Sequence, residues 1–243
     1  MDLPSVFISY SWQTKELADK IAHDLQLVGI GVIKDNQELK YTDSISSFMK
    51  RIRESDYSLL LISDGYLKSK NCLFEVLEFQ KDENHWEKVL PVVCEGTKIY
   101  SALERLEYVT FWTSKSQELE TALKPIDPVN ASGAFAELKL FRSIAGEIDG
   151  FLKKVTDSLH HNPQELFEKS YSPIVEKLGI QFNPKSLLEL LSIVGIENLE
   201  HREIALDEYL KNNSESGHFY SIKAGTARDA GKFDQAYTIT TKA

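Results

Sequence analysis

The 243-residue chain is 42% hydrophobic and 27% charged, the balance of a globular protein with room for one sizeable core and a second small domain. Its formal net charge is -9, and Lys50, Arg51 and Arg53 are its one tight basic group, which argues against nucleic acid as a partner. Cys72 and Cys94 lack neighbours at metal-ligand spacing and suit a reducing compartment, and no apolar run reaches the roughly 20 residues that span a bilayer, so the expectations are a cytoplasmic protein without metal or membrane association.

In chain order, Val6, Phe7 and Ile8 form the expected first strand, followed by the polar stretch Ser9 to Gln13 and a capping residue at Thr14. Leu17, Ala18, Ile21, Ala22, Leu25 and Val28 recur at helical spacing, and Gly29 and Gly31 stop that helix. Gly31 to Ile33 is a short second strand. A polar loop from Lys34 to Thr42 leads to Asp43, the expected cap of a helix whose buried stripe is Ile45, Phe48, Met49 and Ile52. Ser58 to Ser63 is an apolar run between turn formers, which predicts a central strand buried on both faces. Asp64 and Gly65 break it. Asn71 is then the expected cap of a helix starting near Cys72, which places Glu75 in its first turn.

Lys88 to Val93 reads as a fourth strand, near an edge or bulged because of Pro91, and Tyr108 to Phe111 reads as a fifth. Helices are expected over Ser116 to Leu123 and Ala134 to Leu159, separated by Pro125 and Pro128. This alternation predicts an α/β fold, a flavodoxin-like doubly wound five-stranded parallel sheet in residues 1–160, with a smaller all-helical domain in residues 161–243. The expected boundary is His160 to Pro163, with the two histidines in a solvated linker. Beyond it lie helical stripes only: Leu166, Phe167, Ile174 and Leu178; Leu187, Leu188 and Leu191; Ile204, Leu206 and Leu210. From Tyr220 the spacing of Ala224, Gly231, Ala236 and Ala243 resembles one tetratricopeptide unit, which would make the chain a fragment of a longer repeat protein.

In the flavodoxin-like order the ligand crevice opens at the carboxyl ends of the first and third strands. Ser9, Tyr10, Ser11 and Trp12 leave the first strand, Lys34 and Asp35 the second, and Ser63 and Asp64 the third, while Glu75 looks in from the following helix. That set holds hydroxyls, an aromatic face and one carboxylate, without a nucleophile and base or a pair of acids. A Gly-x-Gly-x-x-Gly turn, a Walker lysine and the paired acids of a phospho-receiver are all absent. Glu75 has two explanations at this point: a catalytic carboxylate, or a first-turn acid favoured by the helix dipole at about 0.3 to 1 kcal/mol. Trp12 is equally a packed aromatic or a nucleotide platform, Asp35 a turn residue or a ligand contact, and Cys72 more simply a small buried residue than a reactive thiol.

Phe7 to Ser11, then Asp35 with Leu39, Asp43, Ile45 and Ile52, then Ile62, Ser63, Tyr66, Ser69, Cys72 and Glu75 resemble, in order and spacing, the successive boxes of a Toll/interleukin receptor (TIR) domain of the NAD-cleaving prokaryotic type. The resemblance covers roughly the first 115 residues; Thr42 stands where the family has glycine, and Asn71 where it often has tryptophan. It implies an enzyme, an NAD+ nucleosidase that takes NAD+ as substrate with no resident cofactor. Glu75 would be its catalytic residue, and Ser9, Tyr10, Ser11, Trp12, Lys34, Asp35, Ser63 and Cys72 its substrate-binding residues. The resemblance further implies self-association through TIR domains, a role in immune defence against phage, and an activating protein or ligand acting through the helical C-terminal region. A non-enzymatic adaptor of the same fold, or a sensor that holds NAD+ without cleaving it, is the alternative, and the products could be ADP-ribose or a cyclic form.

Overall fold

Val6, Phe7 and Ile8 are all fully buried. Successive strand residues point to opposite faces, so an unbroken apolar run needs cover on both sides of its sheet. The computed structural model describes residues 4–27, 30–34, 55–79, 85–158, 160–179 and 184–212, together with 223, 226, 227 and 230–232. Its elements are β1 (Ser5–Ser9), α1 (Lys15–Leu27), β2 (Gly31–Lys34), β3 (Tyr57–Ile62), α2 (Asp64–Leu67), α3 (Lys70–Phe79), β4 (Val89–Val93), α4 (Ala102–Leu123), α5 (Ser132–Asp157), α6 (Pro163–Glu168), α7 (Ser172–Lys177), α8 (Pro184–Val194) and α9 (Leu199–Asn212). The helix expected after Asp43, with its stripe Ile45 to Ile52, lies outside the described residues, as does most of the tetratricopeptide-like segment.

The sheet is parallel throughout, in the order β2-β1-β3-β4, with Ser9 opposite Leu60 across the central pair. This is the flavodoxin-like arrangement expected. Among the described residues it has four strands rather than five, because Tyr108 to Phe111 lies inside α4. There Ser101 and Glu104 form a capping box, with Glu104 N–H on Ser101 Oγ at 3.2 Å and Ser101 N–H on Glu104 Oε2 at 2.8 Å. The buried residues Tyr108, Trp112 and Ser116 then follow every four residues, a helical period that outweighs the local strand preference of Tyr-Val-Thr-Phe. The outer edge of β4 is met instead by His161, whose N–H reaches Pro91 O at 3.4 Å and whose carbonyl accepts from Val93 N–H at 2.9 Å. His161 is therefore sheet-bonded rather than a free linker residue. Pro91 is tolerated because its missing N–H would point to this outer side, away from β3.

One face of the sheet, Val6, Ile8, Leu59, Leu61 and Val92, packs in a single core with Ile21 and Leu25 of α1 and with Leu166, Ile174, Val175, Leu190, Val194 and Leu206 of α6 to α9. The other face, Leu60, Ile62 and Val93, packs against Leu73 and Val76 of α3, Tyr108 and Trp112 of α4, and Ile144, Ile148 and Leu152 of α5. Each such side chain contributes roughly 1.5 to 3 kcal/mol by leaving water. Ile204, expected on a buried stripe of α9, is exposed, whereas Leu206 and Tyr209 of that helix are buried. The C-terminal helices grip α1 as well: the Tyr171 hydroxyl donates to Asp24, and Lys20 lies 4.9 Å from the Phe167 ring centre. Arg105 pairs with Asp149 at 2.9 Å and Arg142 with Glu120 at 2.7 Å across the antiparallel pair α4 and α5. Among the described residues no helix is long and apolar enough to cross a membrane.

Candidate active site

β1 and β3 lie side by side; β1 ends in Ser9, and Ser63 directly follows the last residue of β3. Past their carboxyl ends the two chains leave toward opposite faces of the sheet, which makes this the point where the strand order reverses and where open parallel sheets place a ligand crevice. Ser9, the last residue of β1, is wholly buried and its Oγ donates to Glu75 Oε2 at 2.5 Å. The Tyr66 hydroxyl, also wholly buried, lies 2.9 Å from the same Ser9 Oγ. A serine hydroxyl has one proton, and Ser9 gives it to the carboxylate, so Tyr66 donates to Ser9. Burial first, then the neighbouring Cys72 and Glu75, push the Tyr66 phenol well above its ordinary range, while the Ser9 contact opposes them; the phenol stays protonated and able to donate.

Glu75 itself is only 4% exposed. It sits in the middle of α3, not in its first turn, because the helix begins at Lys70. Asn71 is therefore inside the helix rather than its cap; the Ser69 hydroxyl accepts from Cys72 N–H at 3.4 Å in that role. The dipole explanation for a carboxylate at Glu75 fades with this shift, since the effect is confined to the first turn. The Ser9 hydroxyl is a donor to this carboxylate, and such a bond is strongest to the ionised form.

Around this centre the turns interlock. Ser63 caps α2 by accepting from Tyr66 N–H at 3.1 Å, and its Oγ lies 3.2 Å from Ser11 Oγ. Cys72 Sγ points at the Tyr10 carbonyl at 3.5 Å. Gly65 lies where the two turns touch: a Cβ built there would stand 2.2 Å from Gln13 Oε1, the end of an exposed side chain. From the far side α4 pins the turn, with Trp112 Nε1–H on Leu67 O at 2.9 Å and Tyr108 O–H on Asp64 Oδ1 at 3.2 Å.

The expected site residues divide accordingly. Ser9, Tyr10, Ser11, Ser63, Cys72 and Glu75 are brought together, all buried. Trp12, on the same loop, is 67% exposed, a projecting face rather than a packed core residue. Lys34 turns away to Asp19 on α1 at 2.7 Å, and the pairing with Lys34 and Lys15 holds the Asp19 carboxyl below its usual range. Asp35 lies outside the described residues. Tyr66 belongs to the constellation although its sequence motif gave it no site role; its only local signal is its place three residues after Ser63, the spacing of a helix cap.

A cavity of about 810 Å³ opens elsewhere, at the outer edge of β4, lined among others by Trp86, Pro91, His161, Lys169 and Lys177. Its size is within the range of small-molecule sites. The Glu75 crevice is the better candidate on chemistry, because it holds the buried carboxylate with an aligned donor at the topological switch point.

Known proteins were compared with the chain over this region. The family model described as "TIR domain" matches residues 6–124. Among solved structures, the chain is similar to one described as the structure of the activated Roq1 resistosome directly recognizing the pathogen effector XopQ (TIR domains), at 23% identity, covering 72% of this chain and 96% of that chain with a TM-score of 0.46. No curated protein matches the chain. The parallel β2-β1-β3-β4 sheet and the match of residues 6–124 to the TIR domain model together give this part of the chain a TIR fold.

Proposed function

We propose that the protein is an NAD+ glycohydrolase that cleaves the bond between nicotinamide and ribose, with Glu75 as its catalytic carboxylate. The observation that carries this is the buried Glu75 at the carboxyl ends of β1 and β3, with the Ser9 hydroxyl on its Oε2 at 2.5 Å. Most glycosidases need two carboxylates, one of them to protonate the leaving group. Nicotinamide leaves NAD+ as a neutral molecule from a cation and needs no such acid. One carboxylate then suffices, if it engages the ribose hydroxyls and stabilises the positive charge that develops at the anomeric carbon. Trp12, projecting at the crevice mouth, offers a face on which a base can stack. Capture by water gives ADP-ribose; capture by the adenine ring gives a cyclic product.

The buried state of Glu75 makes access the controlled step. Clustering of TIR domains, with the loop that begins at Asp35 packing on a neighbour, is the proposed trigger, and residues 161–243 are the proposed sensing or assembly region of a defence protein. That same burial favours a second reading, a TIR adaptor that associates without turning over substrate. Nicotinamide release from NAD+ by dilute and by crowded or tethered protein separates the two. The enzyme accelerates more than in proportion to its concentration and loses activity with Glu75→Ala, whereas the adaptor is silent in every arm.

A further inference from the structure

The Glu75 carboxylate meets a chain of two hydroxyls, and that chain starts on a different element. We infer that Tyr66 is a positioning residue for Glu75, acting through Ser9, and that Ser9 serves the carboxylate rather than the substrate. This deepens the glycohydrolase reading and rests on it. Ser9 is wholly buried and spends its proton on Glu75 Oε2, so it has no second proton for a ribose oxygen. One of its two acceptor positions is taken by Tyr66 at 2.9 Å. Aligned donors polarise one another, so the phenol strengthens the bond that Ser9 makes to the charge.

Both hydroxyls stand on rigid supports. Ser9 is paired to β3 as the last residue of β1. Tyr66 is fixed by its own N–H on Ser63 Oγ, and the turn that carries it is pinned by Trp112 and Tyr108 of α4. A buried phenol oxygen without a partner would be costly, and here its geometry matches one neighbour, the serine that holds the carboxylate.

Tyr66→Phe keeps the ring and removes the donor. In nicotinamide release it should lower kcat roughly tenfold to hundredfold through misdirection of the carboxylate, while KM moves by less than about threefold. The acid limb of the pH profile should move to higher pH, because hydrogen bonds to a carboxylate favour its charged form and their loss disfavours it. Ser9→Ala should match or exceed these effects, and Ser9→Ala with Tyr66→Phe should be no worse than Ser9→Ala alone. Additive losses in the double variant, or an unmoved kcat and acid limb in Tyr66→Phe, would overturn the inference. Carbon NMR of the Glu75 carboxyl in glutamate-labelled full chain, assigned with Glu75→Gln, reads the same coupling without turnover. If wild type releases no nicotinamide yet the Glu75 titration midpoint rises in both single variants and no further in the double, the glycohydrolase reading fails while the Tyr66–Ser9–Glu75 coupling stands. An unmoved midpoint would refute the coupling itself.

Discussion

Trp112→Phe tests how the site is held from behind. The indole N–H of Trp112 reaches the Leu67 carbonyl at 2.9 Å, and both residues are buried, so phenylalanine takes a donor from a carbonyl that water cannot easily reach. That loss is worth about 1 to 3 kcal/mol. The smaller ring also leaves a void beside Phe141, whose ring centre lies 5.3 Å away, for roughly a further 1 kcal/mol. Together these approach a sizeable part of the ~5 to 15 kcal/mol that stabilises a typical domain, yet leave the protein folded. Tyr108→Phe is the internal control: it breaks a bond to Asp64, whose side chain is 55% exposed and can turn to water, for less than about 1 kcal/mol. Urea unfolding followed by far-UV circular dichroism compares the two variants. Equal losses, or a Trp112→Phe loss within about 0.5 kcal/mol of wild type, would refute the idea that α4 clamps the α2 turn through the buried bond.

Three further outcomes are expected. Gly65→Ala should cost less than about 1 kcal/mol, since the atom its Cβ would meet is the end of the exposed Gln13 side chain, which can swing aside; thermal melts of Gly65→Ala with and without Gln13→Ala should then nearly coincide. Stability should fall at high pH. The Tyr66 phenol is raised by burial, so the folded state keeps a proton that the unfolded state gives up near pH 10, and its contribution is complete below that pH and lost as pH rises toward the folded value. Urea titrations at rising pH should show a shallower decline in Tyr66→Phe. Third, a chain ended at Ser158 should fail to melt cooperatively, because Val6, Ile8, Leu59 and Leu61 share their core with α6 to α9; a sharp transition within a few degrees of the full chain would contradict this.

Most of the sheet was legible from short apolar runs set between turn formers, because a parallel strand must be apolar on both faces. Tyr108 to Phe111 misled for the same reason: four strand-forming residues in a row outweigh the cap at Ser101 and Glu104 when read locally, although Tyr108, Trp112 and Ser116 carry the helical period. Taking Asn71 rather than Ser69 as the capping residue moved α3 and put Glu75 in the wrong turn. The candidate site was readable as a set of residues but not as a wiring diagram. Ser9 and Glu75 are 66 positions apart, Ser9 and Tyr66 are 57 apart, and no local pattern records which hydroxyl serves which oxygen. Lys34 is a similar case, since only the packing of β2 beside α1 shows that Asp19 claims its charge.

The most direct measurement is a proton NMR time course of NAD+ with concentrated full chain, beside Glu75→Gln protein shown by circular dichroism to keep its fold. Free nicotinamide should appear with wild type and not with Glu75→Gln, while the ribose signals report whether the product is linear or cyclic. Nicotinamide release that proceeds equally in both proteins, or in neither even when crowded, would contradict the assignment of Glu75 as the catalytic carboxylate of an NAD+ glycohydrolase.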